Sequence, residues 1–186
     1  SIGFGVSVMP IKCTHDGASS TAVTNGYDGI YYAAVNNADV ISCSWGGTGF
    51  SSTAQNMINW ATNTQGCIVV AAAGNDGIDN DVTPHYPSSY TNTVSVASTT
   101  TNDVKSSFSN YGTNSIDISA PGSNIASTIP FNQYSFMSGT SMATPMVSGL
   151  LGLMKSLNPA ITNAALLNCL YTTADNIDSQ NPSYIE

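Results

Sequence analysis

The feature that most constrains this chain is a series of short, almost unbroken apolar runs separated by stretches with helical spacing. Residues 6–13, 40–43 and 67–73 are such runs. Between the first two, Val23, Tyr27, Ile30 and Ala34 recur at the period of one helix face. Between the second and third, Ala54, Met57, Ile58 and Ala61 do the same, and Gly66 closes that helix. A strand that is apolar on both sides must be covered on both faces, which is the condition of a parallel sheet with right-handed crossovers. The pattern predicts an α/β fold: a doubly wound, mostly parallel sheet with helices on both faces.

Beyond Gly74 turn residues dominate, with short strands expected at 93–97, 116–119 and 125–128. Residues 141–155 read as a buried helix with Pro145 in its first turns, where a missing N–H costs little. Asn158-Pro159 stops it, and Ala164, Leu167 and Tyr171 outline a last amphipathic helix behind a Thr162 cap. The 186 residues suit a single domain.

Three lysines and no arginine stand against eleven acidic residues, giving a net charge of -8. That balance argues against nucleic acid or an anionic membrane as partner. No run of eighteen apolar residues is present, so no membrane span is expected. Cys13, Cys43, Cys67 and Cys169 lack zinc or redox spacing and are expected mainly as buried free thiols, with disulfides as the alternative.

In open parallel sheets, ligands bind beyond the carboxyl ends of the strands. Two glycine-rich segments fall there, Ser44-Trp45-Gly46-Gly47 and Ala71-Ala72-Ala73-Gly74-Asn75-Asp76-Gly77, and neither has phosphate-cradle spacing. A third, Ser138-Gly139-Thr140-Ser141-Met142-Ala143-Thr144-Pro145, leads into the buried helix and sets Ser141 at its N-terminus. Unpaired N–H groups and the positive dipole end favour developing negative charge there, although a serine at that place can also be a plain helix cap.

Gly139-Thr140-Ser141-Met142-Ala143-Thr144-Pro145 closely resembles the nucleophile motif of subtilisin-like serine proteases. The segments around Asn75 and Ser44, Phe108-Ser109 and Ala120-Pro121-Gly122 resemble the same family in order and spacing. The resemblance implies an exported serine endopeptidase acting on polypeptides. It makes Ser141 the nucleophile, with the Asn75 amide and the Ser141 N–H as oxyanion donors and Thr140 assisting. Ser44, Trp45 and Gly46 would pair with an extended substrate and, with Ala72 and Gly74, wall the first specificity pocket. Trp45, where the family more often has leucine, would either narrow a subsite or simply pack. Met146, where it often has histidine, is expected to matter little.

A serine hydroxyl needs a base, and the base needs an orienting group. The family's Asp and His motifs, which precede the serine, have no counterpart here. His15 and His85 lack a helix-opening context and read as surface loop histidines. The chain is therefore expected to be part of a catalytic domain and inactive alone. It would be a fragment, one of two chains, or a catalytically dead peptide-binding module; the first is favoured because a full nucleophile turn is otherwise unused. An incomplete sheet would leave an unpaired edge, open to self-association. Asp76, Asp79 and Asp81 are weak candidates for calcium, since the family often binds it and the loop is rich in oxygen ligands.

Overall fold

A computed structural model of the chain describes residues 2–19 and 22–184. Helix α1 (Gly26–Val35) leads into β1 (Val40–Cys43), then α2 (Ser52–Asn63) and β2 (Ile68–Ala72). After a long loop come β3 (Thr93–Thr99) and β4 (Ile118–Pro121), a hairpin of β5 (Ile125–Ile129) and β6 (Gln133–Met137), and helices α3 (Thr140–Leu157) and α4 (Asn163–Thr173). Strands β1 to β4 form one parallel sheet in chain order, with Val40 opposite Ile68, Val69 opposite Thr93 and Val96 opposite Ile118.

The alternation along the strands decides which helices go where. Ile41, Cys43, Val69 and Ala71 pack with α1 and α2 on one face, whereas Ile68, Val70, Val94, Val96 and Ala120 pack with α3 and α4 on the other. Strand β2 is buried at every position, as its unbroken apolar run requires. The helices start where local chemistry satisfies their first N–H groups. Ser51 Oγ accepts from Ala54 N at 3.3 Å to open α2, and Thr162 Oγ1 accepts from Ala165 N at 3.2 Å to open α4.

Three expectations are corrected. Residues 6–13 form no ladder. An apolar run becomes a strand only when a neighbour pairs it and a layer covers it; here Val8 is 84% exposed, while Ile11 and Cys13 pack at Gly29 of α1 instead. The outer edge of β1 thus has no partner strand among the described residues. The buried face of α4 is Leu166 and Leu170, while Ala164 and Tyr171 are exposed, so the stripe is rotated from the one expected. The mild amphipathicity of that helix left two neighbouring stripes nearly equivalent. Strand β6 was missed because its apolar residues are not buried: Tyr134 and Phe136 are exposed, so the hairpin is held by pairing rather than by a core.

Leu151 of α3 is fully buried against β2 to β4. Leu151→Ala is expected to cost about 2–5 kcal/mol of unfolding free energy. Phe131→Ser, at the 93% exposed hairpin tip, is expected to change it by under about 0.5 kcal/mol. Denaturant melts of both variants compare them directly.

Candidate active site

The carboxyl ends of β1 and β2 meet the start of α3, and this brings Ser44, Asn75 and Ser141 together. Asn75 is fixed by Thr140: its Oδ1 accepts from the Thr140 backbone N at 2.8 Å and from Thr140 Oγ1 at 3.0 Å. With both lone pairs of Oδ1 used, the amide orientation is set, and the side chain lines the cleft together with Ser141. Thr140 Oγ1 in turn accepts from Gly74 N at 3.2 Å. Thr140 is wholly buried and its hydroxyl is committed, so it reaches the site through Asn75 rather than by touching a ligand itself.

Pro145 explains the second link. A residue at that place in the helix would normally donate its N–H to the Ser141 carbonyl, and proline has none to give. Ser44 Oγ takes up the vacant acceptor, donating to Ser141 O at 2.9 Å, and Ser141 Oγ donates back to Ser44 O at 3.2 Å. The reciprocal pair ties the Ser141 turn to the end of β1. Ser141 N–H lies in the first turn of α3, where no intrahelical acceptor exists.

The loop bearing Asn75 rests on a residue that motif reading passed over. Asn110 is wholly buried and uses its whole amide: Oδ1 accepts from Asp76 N at 2.9 Å and Ile78 N at 3.3 Å, while Nδ2 donates to Ala73 O at 3.1 Å and Asn80 Oδ1 at 2.9 Å. Gly74 sits at φ +110°, and a Cβ there would lie 2.4 Å from Asn110 Nδ2, so the close approach requires glycine. The only sequence signal for Asn110 was its place just after Phe108-Ser109.

The cleft has a volume of about 220 Å³ and takes in every residue expected for catalysis or substrate binding except Ser44. It also contains Asp76 and His85. His85 is therefore not a surface loop residue; it is 9% exposed, because Gly46 and Gly74 carry no side chains to keep the imidazole out. Desolvation pushes its pKa below the usual imidazole value, with Asp76 and the Ala72 carbonyl partly opposing. Its Nδ1 lies 3.3 Å from Ser88 Oγ, so it is engaged away from the Ser141 hydroxyl. Trp45 packs against Gly26 and edge-on to Tyr27, ring centroids 5.2 Å apart, which makes its bulk part of the α1 contact. Met146 packs at the margin of the core under α3.

Two of the three acidic side chains proposed for calcium are engaged with donors of their own chain. Asp79 Oδ1 accepts from Asp81 N at 2.9 Å, and Asp81 Oδ2 accepts from Thr113 Oγ1, Asn114 N and Asn114 Nδ2 at 3.0, 3.0 and 3.1 Å. Although partial desolvation acts in the opposite sense, hydrogen bonds from Ser115, Asn114 and Thr113 hold the Asp81 pKa well below the carboxylate range. These carboxylates clamp loops with N–H and O–H donors, and among the described residues no three metal-ligating side chains cluster. Cys43 and Cys67 are buried free thiols, with burial first and then Cys13 pushing Cys43 up to about 12. Cys13 is only half-buried and Cys169 is exposed, against expectation, because the 6–13 run is uncovered and Cys169 lies on the outer side of α4.

Comparison with known proteins places the fold in a family. Residues 2–185 match the subtilase family, Peptidase_S8. The chain is 47% identical to thermitase of Thermoactinomyces vulgaris over 175 residues, covering 92% of this chain and 58% of thermitase. It is 40% identical to subtilisin Savinase of Lederbergia lenta over 166 residues, covering 89% and 60%. A crystal structure of a cold adapted subtilisin-like serine proteinase superposes with a TM-score of 0.77 at 34% identity, covering 87% of this chain and 57% of that one. The family match spans nearly the whole chain and the solved structure shares its fold, and the chain belongs to the subtilase family. It spans under two thirds of the length of the relatives named here.

The His85 shift has a definite sign. On acidification the unfolded chain binds a proton near the ordinary value of about 6.5, and the folded chain does so only at lower pH, so the contribution of His85 is complete above 6.5 and declines below it. The denaturation midpoint is expected to fall between about pH 7.5 and pH 5.5, and His85→Asn is expected to flatten that step.

Proposed function

We propose that this chain supplies the nucleophile and oxyanion site of a secreted serine endopeptidase. The observation that carries the reading is the double hydrogen bond from Thr140 to Asn75 Oδ1, which commits the amide oxygen of a side chain that lines the same cleft as Ser141 and leaves its nitrogen as the donor end. In the reaction, Ser141 Oγ forms a bond to the peptide carbonyl carbon, and the carbonyl electron pair moves onto oxygen. Asn75 Nδ2 and Ser141 N–H stabilise that charge where it develops, in a site already organised to receive it. Collapse breaks the C–N bond, the amine leaving with the proton that the base took from Ser141, and the acyl group left on Ser141 is then removed by water.

The proton from Ser141 has to go to a base. Ser141 Oγ donates to the Ser44 carbonyl and His85 Nδ1 is engaged by Ser88, so His85 is not the base in this reading, and the residues of the cleft by themselves are expected to turn over no peptide. Substrate lies extended along Ser44, Trp45 and Gly46, with the side chain before the cut in the pocket walled by Ala72 and Gly74. Export accords with the family, and no helix among the described residues is long and apolar enough to cross a membrane. The unpartnered edge of β1 and the exposed Phe4 and Val8 support self-association when that edge is left uncovered.

The test is peptide hydrolysis by the full-length encoded protein. Ser141→Ala is expected to abolish it. Asn75→Ala is expected to lower turnover by the factor measured in subtilisin itself, about 10²–10³, with little change in KM. Turnover that is unchanged in Asn75→Ala would contradict the assignment, and absence of any activity in the intact protein would favour a peptide-binding module.

A further inference from the structure

A single residue brackets Asn75 in the chain. Asn110 N donates to Gly74 O at 3.0 Å, just ahead of Asn75, and Asn110 Oδ1 accepts from Asp76 N at 2.9 Å, just after it. Thr140 holds the Asn75 side chain, whereas Asn110 holds the backbone that carries it. One contact sets how the amide is turned and the other sets where it stands.

Asn110 is itself fixed to the sheet. Ser98 N of β3 donates to Ser109 Oγ at 2.9 Å, and that hydroxyl donates to Asn110 O at 2.9 Å. Lys105 Nζ donates to Ser106 O at 3.1 Å and Ser109 O at 2.9 Å, which closes the turn ahead of Asn110. On the other side stands Asn80, also buried. It accepts from Asn110 Nδ2 at 2.9 Å and donates its own Nδ2 to Ala73 O at 2.8 Å. Both donors and both acceptor directions of the Asn110 amide are used, a set that aspartate, serine and threonine lack the hydrogens to reproduce. A buried network with every member satisfied is rigid, and removing one member leaves several polar groups without partners.

We infer that Asn110 is a positioning residue for the oxyanion donor, fixing the place of the Asn75 amide relative to Ser141 and so raising turnover without touching substrate. This rests on the peptidase reading above. Asn110 is wholly buried and does not line the cleft, so its effect on the reaction passes through Asn75. An interaction made only as charge develops acts on kcat, and a displaced donor loses that interaction while the extended substrate still binds along Ser44–Gly46.

The experiment is a double-mutant cycle in the full-length protein, with succinyl-Ala-Ala-Pro-Phe-p-nitroanilide as substrate. Rates are taken at a temperature where melts show every variant folded. Asn110→Ala is expected to lower kcat by about tenfold to a hundredfold, the scale of a small misplacement of a catalytic group, with KM little changed. In the Asn75→Ala background the same substitution is expected to cost less than about twofold, because the group it positions is already gone. An equal loss of kcat in both backgrounds overturns the inference, as does a lowered melting temperature with kcat unchanged or a raised KM at constant kcat. Each of these leaves the peptidase reading intact if Ser141→Ala still abolishes hydrolysis. A folded parent protein with no hydrolysis to lose overturns the peptidase reading and the inference with it. Should Asn110→Ala not fold, Asn110→Ser keeps an oxygen for the two N–H groups, and the same cycle decides.

Discussion

Both lone pairs of one amide oxygen, Asn75 Oδ1, are taken by Thr140, and most of the site follows from that. The bonds join the end of β2 to the start of α3 across the sheet. They also fix which way round the amide sits, on a side chain that lines the cleft with Ser141. Thr140 can serve because it is buried and because its hydroxyl, by accepting from Gly74 N, is left with one direction in which to donate. Asn110 completes the arrangement from below by holding both flanks of the same loop.

A proline supplies the complementary constraint. Pro145 leaves the Ser141 carbonyl without its helical partner, and Ser44 fills that vacancy from the end of another strand. Helix irregularity and site assembly are thus one fact: the broken bond inside α3 is the means by which β1 is attached to the nucleophile. Strands β1 and β2 and helix α3 are then positioned by each other, and the core beneath them, with Val70, Val96 and Leu151 fully buried, keeps them from shifting.

What could be read beforehand and what could not divides along physical lines. The unbroken apolar run of β2 and the helical spacing of Ile30 and Ala34 depend only on burial, and they were legible. Residues 6–13 have the same composition, but a ladder also needs a partner and a cover, which composition does not reveal. In α4 the stripe through Leu167 and the one through Leu166 differ by a single position, and only packing distinguishes them. Ser141 and Asn75 stood out through the family resemblance of the segments that carry them, and the structure brings both to one cleft. Asn110 and His85 were not, since both act through contacts with segments far away in sequence: one beneath the oxyanion loop, the other between two glycine walls.

The account stands on Ser141 being a hydroxyl that an organised site activates. Treating the intact, folded full-length protein with a fluorophosphonate and mapping the adduct tests this most directly. The expected result is a single covalent label on Ser141 that is lost in Ser141→Ala and formed far more slowly in Asn75→Ala. Labelling at another serine, or no label on a protein free of any covering propeptide, would contradict it.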